Sequence, residues 1–168
     1  MHELHTKRLF WRAPKASDYD QLFELVSDYE VVKWTGTWPH PADPVLTRQR
    51  CSPGAEHVPR TGMVFLGDKL IGSVGVQNGE LGYMIAREYW GHGYASEMCR
   101  AVVDHVFLHS DLAEIGAKVA RTNAGSIRIL EKLGFQRIGA SQCGSVAQGK
   151  TLDSYDYVLH RPGTPARP

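Results

Sequence analysis

Cysteine is scarce in this chain of 168 residues: Cys51, Cys99 and Cys143 stand far apart and form no Cys-x-x-Cys pair. That excludes a disulfide framework and a zinc knuckle, and leaves plain packing or surface thiols. Charge of one sign is missing too. Nineteen Lys and Arg against eighteen Asp and Glu give a formal net charge of +1, well mixed along the chain. Neither a nucleic-acid surface nor a polybasic membrane anchor is therefore expected. No apolar run reaches a membrane span, and the start Met1-His-Glu-Leu-His-Thr-Lys7 has no signal-peptide core, so a cytoplasmic location is expected. Metal-ligand clusters are also lacking. His105 and His109 lie four apart on an expected helix, but with no third ligand near them a solvated helix face is the expectation, and metal none.

What is present suits one domain over residues 1–160, with a sheet and helices on both faces and an unstructured tail at 161–168. Arg8–Arg12 alternates as a short strand. Ser17 is a plausible cap for a helix carrying Leu22, Leu25, Val26 and Tyr29 on one face. Turn formers and aromatics fill Trp34–Pro41, and a short helix over 43–50 begins at Pro44. A mobile loop is expected over 51–62. Strands at 63–66, 70–77 and 80–85 make a meander, its last turn set by Asn78-Gly79. A helix over 93–109, a strand over 115–120, a helix over 126–133 closed by Gly134 and strands over 135–141 and 152–160 complete the order. The last strand has no fully polar face and should be interior. Strands 80–85 and 115–120 flank a helical crossover and should run parallel.

The stretch from Gly82 to Glu97, Gly-Tyr-Met-Ile-Ala-Arg-Glu-Tyr-Trp-Gly-His-Gly-Tyr-Ala-Ser-Glu, reads as strand, glycine turn and helix start. The first amides of such a helix lack intrahelical partners, so an anion can dock there without a lysine. Gly91-His-Gly93 is neither a dinucleotide fingerprint nor a Walker A loop: the third glycine and the Gly-Lys-Ser/Thr are absent. By spacing alone a tight connection is the plainer reading.

Four segments together resemble the GNAT superfamily of acyl-CoA-dependent N-acetyltransferases, and within it the RimJ/RimL-like branch of ribosomal-protein N-terminal acetyltransferases. They are Thr6-x-Arg8-Leu-x-x-Arg12, Gly72-Ser-Val-Gly75, Gly82-Tyr-Met-Ile85 running to Tyr89-Trp-Gly-His-Gly-Tyr-Ala-Ser-Glu97, and Asn123-x-x-Ser126-x-x-x-Leu-Glu-Lys-Leu-Gly-Phe135. The resemblance implies an α/β (α+β) fold, the GNAT fold: a mixed, mostly antiparallel central sheet of six to seven strands, about four helices on both faces, and a V-shaped splay between strands 80–85 and 115–120.

The resemblance also assigns roles. Acetyl-CoA is the co-substrate. Its pyrophosphate would sit on Trp90, Gly91, His92, Gly93, Tyr94, Ala95 and Ser96, mostly through backbone amides, so the Trp90 side chain should matter little. Tyr83, Met84 and Ile85 would pair their main chain with the pantetheine arm, and amides near Met84–Ile85 would meet the thioester oxygen. Asn123 would bond the arm, which is compatible with a plain helix cap. The tyrosine that many members carry falls at Leu130 and is absent here. Ser126, one turn earlier, is where the branch places the hydroxyl that protonates the thiolate, although a serine there is also structurally ordinary.

Glu80 is the expected base, with an exposed strand-end carboxylate as the plain reading. Trp34, Thr35 and Trp38 are the expected acceptor wall, or equally a plug over the core. Cys143-x-Ser145-x-Ala147-x-Gly149 matches a pattern of short relatives whose role stays open. The expected activity is acetyl transfer to a primary amine. A protein N-terminal α-amine (pKa about 8) needs less help than a lysine (about 10.4). A small-molecule amine (polyamine, amino acid or aminoglycoside-like) and a non-catalytic acyl-CoA sensor are the alternatives. No nucleic-acid or membrane partner is expected, and the assembly is monomer or homodimer.

Overall fold

A computed structural model describes residues 3–52 and 61–163. Most of the loop expected over 51–62, and the tail from 164, lie outside the described residues. Among the described residues eight strands form one sheet: β1 (Leu4–His5), β2 (Phe10–Arg12), β3 (Thr61–Leu66), β4 (Lys69–Gln77), β5 (Glu80–Ile85), β6 (Glu114–Ala120), β7 (Gln136–Ser145) and β8 (Lys150–His160). Their spatial order is β1-β2-β3-β4-β5-β6-β8-β7. Every pairing is antiparallel except β5 with β6. The strand beyond the expected seven is β1, two residues long and too short to show a period. β8 is interior, between β6 and β7, as its mixed faces imply.

Helices α1 (Tyr19–Val26), α2 (Tyr29–Val32) and α3 (Pro44–Arg50) cover one face, and α4 (Tyr94–His109) and α5 (Ala124–Leu133) the other. The four-residue α2 is the helix added to the expected four. Under α1–α3 lies a core of Leu22, Val26, Val32, Trp38, Met63, Phe65, Leu70 and Met84. Under α4 and α5, Met98, Val102, Phe107, Leu130 and Leu133 pack on Ile71, Val74, Ile115 and Tyr157. Truncating a fully buried leucine such as Leu22 or Leu130 to alanine costs about 2–5 kcal/mol.

Three local expectations are corrected. Ser17 does not cap α1; it lies in a 3-10 turn, Ala16–Asp18. The buried Asp18 carboxylate organises that entry, accepting the Lys15 amide at 2.7 Å and a bidentate pair from Arg12 at 2.7 and 2.8 Å, because a buried charge needs a partner. β7 runs on to Ser145, past the expected 141. Arg161 is not loose: its guanidinium donates to the carbonyls of Phe107 (2.6 Å), Leu112 (2.9 Å) and Ser110, closing the C-terminal end of α4.

The feature that shapes the site is a break in the sheet. Asn78 and Gly79, at φ 51° and 78°, make the tight turn that starts β5. The new strand meets β6 at a single register pair, Glu80 with Gly116, backed by a 2.8 Å bond from the Gly116 amide to the Gly79 carbonyl. From there β5 stays on β4 and β6 stays on β8, so a V opens between them.

Candidate active site

Alternation along an antiparallel strand decides which main-chain groups face the V. The Ala86 amide bonds Ile71 O on β4 at 2.8 Å, and register pairs Met84 with Ser73 and Gly82 with Gly75. Even-numbered residues of β5 thus spend their main-chain groups on β4, while Leu81, Tyr83 and Ile85 turn theirs to the gap. Met84, expected among the main-chain contacts, points those groups at β4 and its side chain into the α1–α3 core. The close fit of β5 on β4 depends on Gly72. A Cβ there would overlap the Met84 carbonyl oxygen and lie 2.6 Å from Ile85 Cδ1.

At the mouth of the V, Gly91 and Gly93 both adopt positive φ, 78° and 79°, where a side chain would be strained. The first intrahelical donor of α4 is Glu97, bonding Gly93 O. The amides of Tyr94, Ala95 and Ser96 before it have no helical partner and sit at the positive end of a sixteen-residue helix. The Trp90 indole donates to Ile85 O at 2.7 Å, tying the turn to the end of β5. His92 does not line the cleft: its Nδ1 donates to Trp90 O at 2.9 Å and its ring stacks on Tyr94.

Across the V, Asn123 lines the cleft and caps α5, its Oδ1 accepting the Ser126 amide at 3.2 Å. Leu130 is fully buried. A tyrosine is nonetheless present from another direction. The Tyr83 phenol lies 2.5 Å from Ser126 Oγ, and burial pushes that phenol well above its ordinary range, the bond to Ser126 only partly opposing the shift. Tyr83 therefore stays protonated near neutrality, and either hydroxyl can donate to the other.

The opposite face of β5 carries Glu80, Gly82 and Met84 in the same alternation. Glu80 is exposed at the closed end of the V, its Cγ 3.7 Å from where a Gly116 Cβ would be. Above Gly82 is open space: a Cβ added there meets nothing within 4 Å. Trp34 lines this side half-buried, Lys33 Nζ 5.0 Å from its ring. Thr35 commits its hydroxyl to Val32 O at 2.8 Å, capping α2. Trp38 is 6% exposed and belongs chiefly to the core, so the plug reading holds for it.

Neither Arg50 nor the hairpin contacts were evident from sequence. Arg50 stacks on Trp38 at 3.9 Å and donates to Thr37 O. Ser145 Oγ and Gln148 Nε2 each donate to Lys33 O at 2.8 Å, so the Cys143–Gly149 pattern clamps the loop bearing Trp34. The hairpin joins span more than a hundred residues, and none of these contacts leaves a periodic signal.

The whole forms a cleft of about 1550 Å³ passing through the V from the Trp34–Trp38 loop to Ser96 and Ser126. Among the described residues no group of three or more His, Cys, Asp or Glu could hold a metal, and no helix is long and apolar enough to cross a membrane.

Against known proteins, the sequence profile described as "Acetyltransferase (GNAT) domain" matches residues 8–136. An uncharacterized N-acetyltransferase, p20, of Bacillus licheniformis is 32% identical, covering 95% of this chain and 96% of its own. Among solved structures, a GNAT-family acetyltransferase from Bacillus anthracis superposes with a TM-score of 0.80 at 24% identity, covering 95% of this chain and 98% of that one. The ribosomal-protein-S5-alanine acetyltransferase of Vibrio fischeri gives 0.81 at 19%, covering 98% and 100%. At those identities the structures speak for the fold alone.

Proposed function

Since the chain belongs to the GNAT acetyltransferase family and is an acetyl-CoA-dependent N-acetyltransferase, we propose that it transfers acetyl directly to a protein N-terminal α-amine, as in the RimJ/RimL-like branch. The observation that carries this reading is the two-faced strand β5. One face presents the Glu80 carboxylate beside the open space over Gly82; the other presents Tyr83 against Ser126. Between them the gap-side amides of Tyr83 and Ile85 await an acceptor.

Each part has a use. The unpartnered amides of Tyr94, Ala95 and Ser96 suit a diphosphate. The Tyr83 main chain, the Ile85 N–H and the Asn123 amide suit the amide groups of a pantetheine arm, the Ile85 carbonyl being held by Trp90. An amide donor of β5 stabilises charge developing on the thioester oxygen. As the N–C bond forms and the C–S bond breaks, the amine's proton leaves toward Glu80, directly or through water, and the thiolate takes a proton from Ser126, which Tyr83 orients.

Charge at the acceptor mouth supports an α-amine over a polycation. Two carboxylates line the cleft among the described residues, Glu30 and Glu80, and Glu30 is already paired with Lys33 at 2.6 Å. Glu80 alone is left to meet a cation, with Arg50 at the mouth, which suits one amine better than several.

The test is an acceptor screen with free-thiol detection: peptides beginning Ser, Ala or Met against spermidine, lysine and an aminoglycoside. Peptides are expected to give at least about tenfold higher kcat/KM, a difference of about 1.4 kcal/mol in transition-state binding. Preference for a polyamine or aminoglycoside would overturn the acceptor. Acetyl-CoA binding with no turnover on any amine would leave a sensor.

A further inference from the structure

The Thr6–Leu9 segment, distant in sequence from the glycine turn, is bolted to its back. The Thr6 hydroxyl donates to Glu97 Oε1 at 2.6 Å and accepts the Leu9 amide at 3.0 Å. The Arg8 amide also reaches Glu97 Oε1, at 3.0 Å. The Arg8 guanidinium then spans two partners. Its Nε and Nη2 hold Glu97 Oε2 at 2.7 and 2.6 Å, and its Nη1 donates to the His92 carbonyl at 3.0 Å. The guanidinium carbon lies 4.5 Å from the centre of the Tyr94 ring, on which His92 also stacks. Arg8 does not line the main cleft, whereas Gly91, Gly93, Tyr94, Ala95 and Ser96 do; it lines a smaller hollow on the other side of Gly93 and Ser96, where its guanidinium is engaged by Glu97 and the His92 carbonyl.

We propose that Arg8 is a positioning residue for diphosphate binding, acting through the glycine turn and without touching the ligand. Two physical effects follow from the contacts. A trans peptide sets its C=O and N–H on opposite sides, so pinning the His92 oxygen to Arg8 turns the Gly93 N–H away from Arg8, toward the cleft side of the turn. Glu97 is a carboxylate in the first turn of α4, favourable to the helix dipole but repulsive to a phosphate docking a few residues earlier. The pairing with Arg8 neutralises it. Only a planar fork meets Glu97 and the His92 carbonyl together; a lysine at this position reaches one or the other.

The inference rests on the acyl-CoA reading of the cleft, and titration of the wild type, Arg8→Ala and Arg8→Lys with CoA, dephospho-CoA and pantetheine tests it apart from catalysis. Both variants are expected to bind CoA and dephospho-CoA about tenfold more weakly, roughly the loss of one charge-assisted contact. Pantetheine, which has no phosphate, is expected to bind them as it binds the wild type.

Equal weakening for pantetheine would mean a general structural role, and a loss confined to CoA would mean direct contact with its 3′-phosphate; either overturns the proposal. So would full recovery in Arg8→Lys, unchanged CoA affinity in Arg8→Ala, or wild-type affinity no higher for CoA than for pantetheine. Normal CoA binding without turnover would defeat the transfer reaction and leave this role for Arg8 standing.

Discussion

Two hydroxyls and one carboxylate carry the residue-scale expectations. On the proposed mechanism, Ser126→Ala lowers kcat by about a hundredfold, the ordinary share of an acid catalyst, with the KM for acetyl-CoA within about twofold. Tyr83→Phe leaves Ser126 with no fixed partner and gives a smaller loss in the same parameter. Steady-state kinetics on both variants decide this, and an unchanged kcat in Ser126→Ala removes the serine from the reaction. Glu97 makes a pH prediction. Burial works against its charge, but the bonds from Thr6 and Arg8 win and hold the carboxyl below its ordinary value. A depressed carboxyl contributes stability above its unfolded pKa, about 4.3, and loses that contribution as pH falls through the lower folded value. Glu97→Gln should thus be less stable than the wild type at pH 7, the gap beginning to narrow as pH falls below about 4.3 and closing only below the depressed folded value. Denaturant midpoints across that range measure it; a gap independent of pH would exclude the carboxylate as its source.

Among the elements, β5 is the one that cannot be displaced cheaply. Its seat against Gly72 leaves no room for a methyl group, the obstacle being the Met84 carbonyl. Gly72→Ala is expected to cost about 2 kcal/mol or more, as large steric insertions do, and to weaken CoA binding with it, because the displaced strand carries the gap-side amides. Thermal unfolding with a parallel titration tests both, and a stable variant with intact affinity would show that β5 tolerates the shift. On the far side of the cleft, the β7–β8 hairpin holds Lys33 O through Ser145 and Gln148. Ser145→Ala combined with Gln148→Ala should raise the acceptor KM about tenfold and leave acetyl-CoA affinity alone, the split expected when only one substrate's wall is loosened.

At the scale of the molecule, β1–β5 and β6–β8 share one register pair, with α4 packed on β4 and β5 and α5 joining it to β6. A ligand lying in the V joins what the backbone leaves apart. Saturation at about a hundred times Kd should stabilise the fold by about 2.7 kcal/mol. For a chain of this length that is a rise in Tm of roughly 5–10 °C, with slowed hydrogen exchange at Tyr83, Ile85 and the start of α4. No shift at saturating CoA would sever the V from the ligand.

Much of this scale was legible in the sequence. Asn78-Gly79 set the hairpin, the 3.6-residue period from Met98 to Phe107 set α4, Gly134 closed α5, and the order of elements gave the parallel pair. What escaped were joins between distant segments: Arg8 on His92, Tyr83 on Ser126, Ser145 on Lys33. Each is a contact between side chain and backbone, or between two polar side chains, with no periodic trace. Ser17 was mistaken for a cap because the buried Asp18 draws its partner, Arg12, from another element.

The single bridge at Glu80 and Gly116 has one more consequence, for how such an enzyme is held in check. On the proposed reading the grip on the cofactor is almost wholly main chain and lies along the arm and the diphosphate, parts that acetyl-CoA and free CoA have in common. Spent CoA is then held about as tightly as acetyl-CoA, and it competes for the same open edge of β5. Turnover would follow the ratio of acetylated to free CoA in the surrounding solution more closely than the amount of either, making product inhibition a built-in governor.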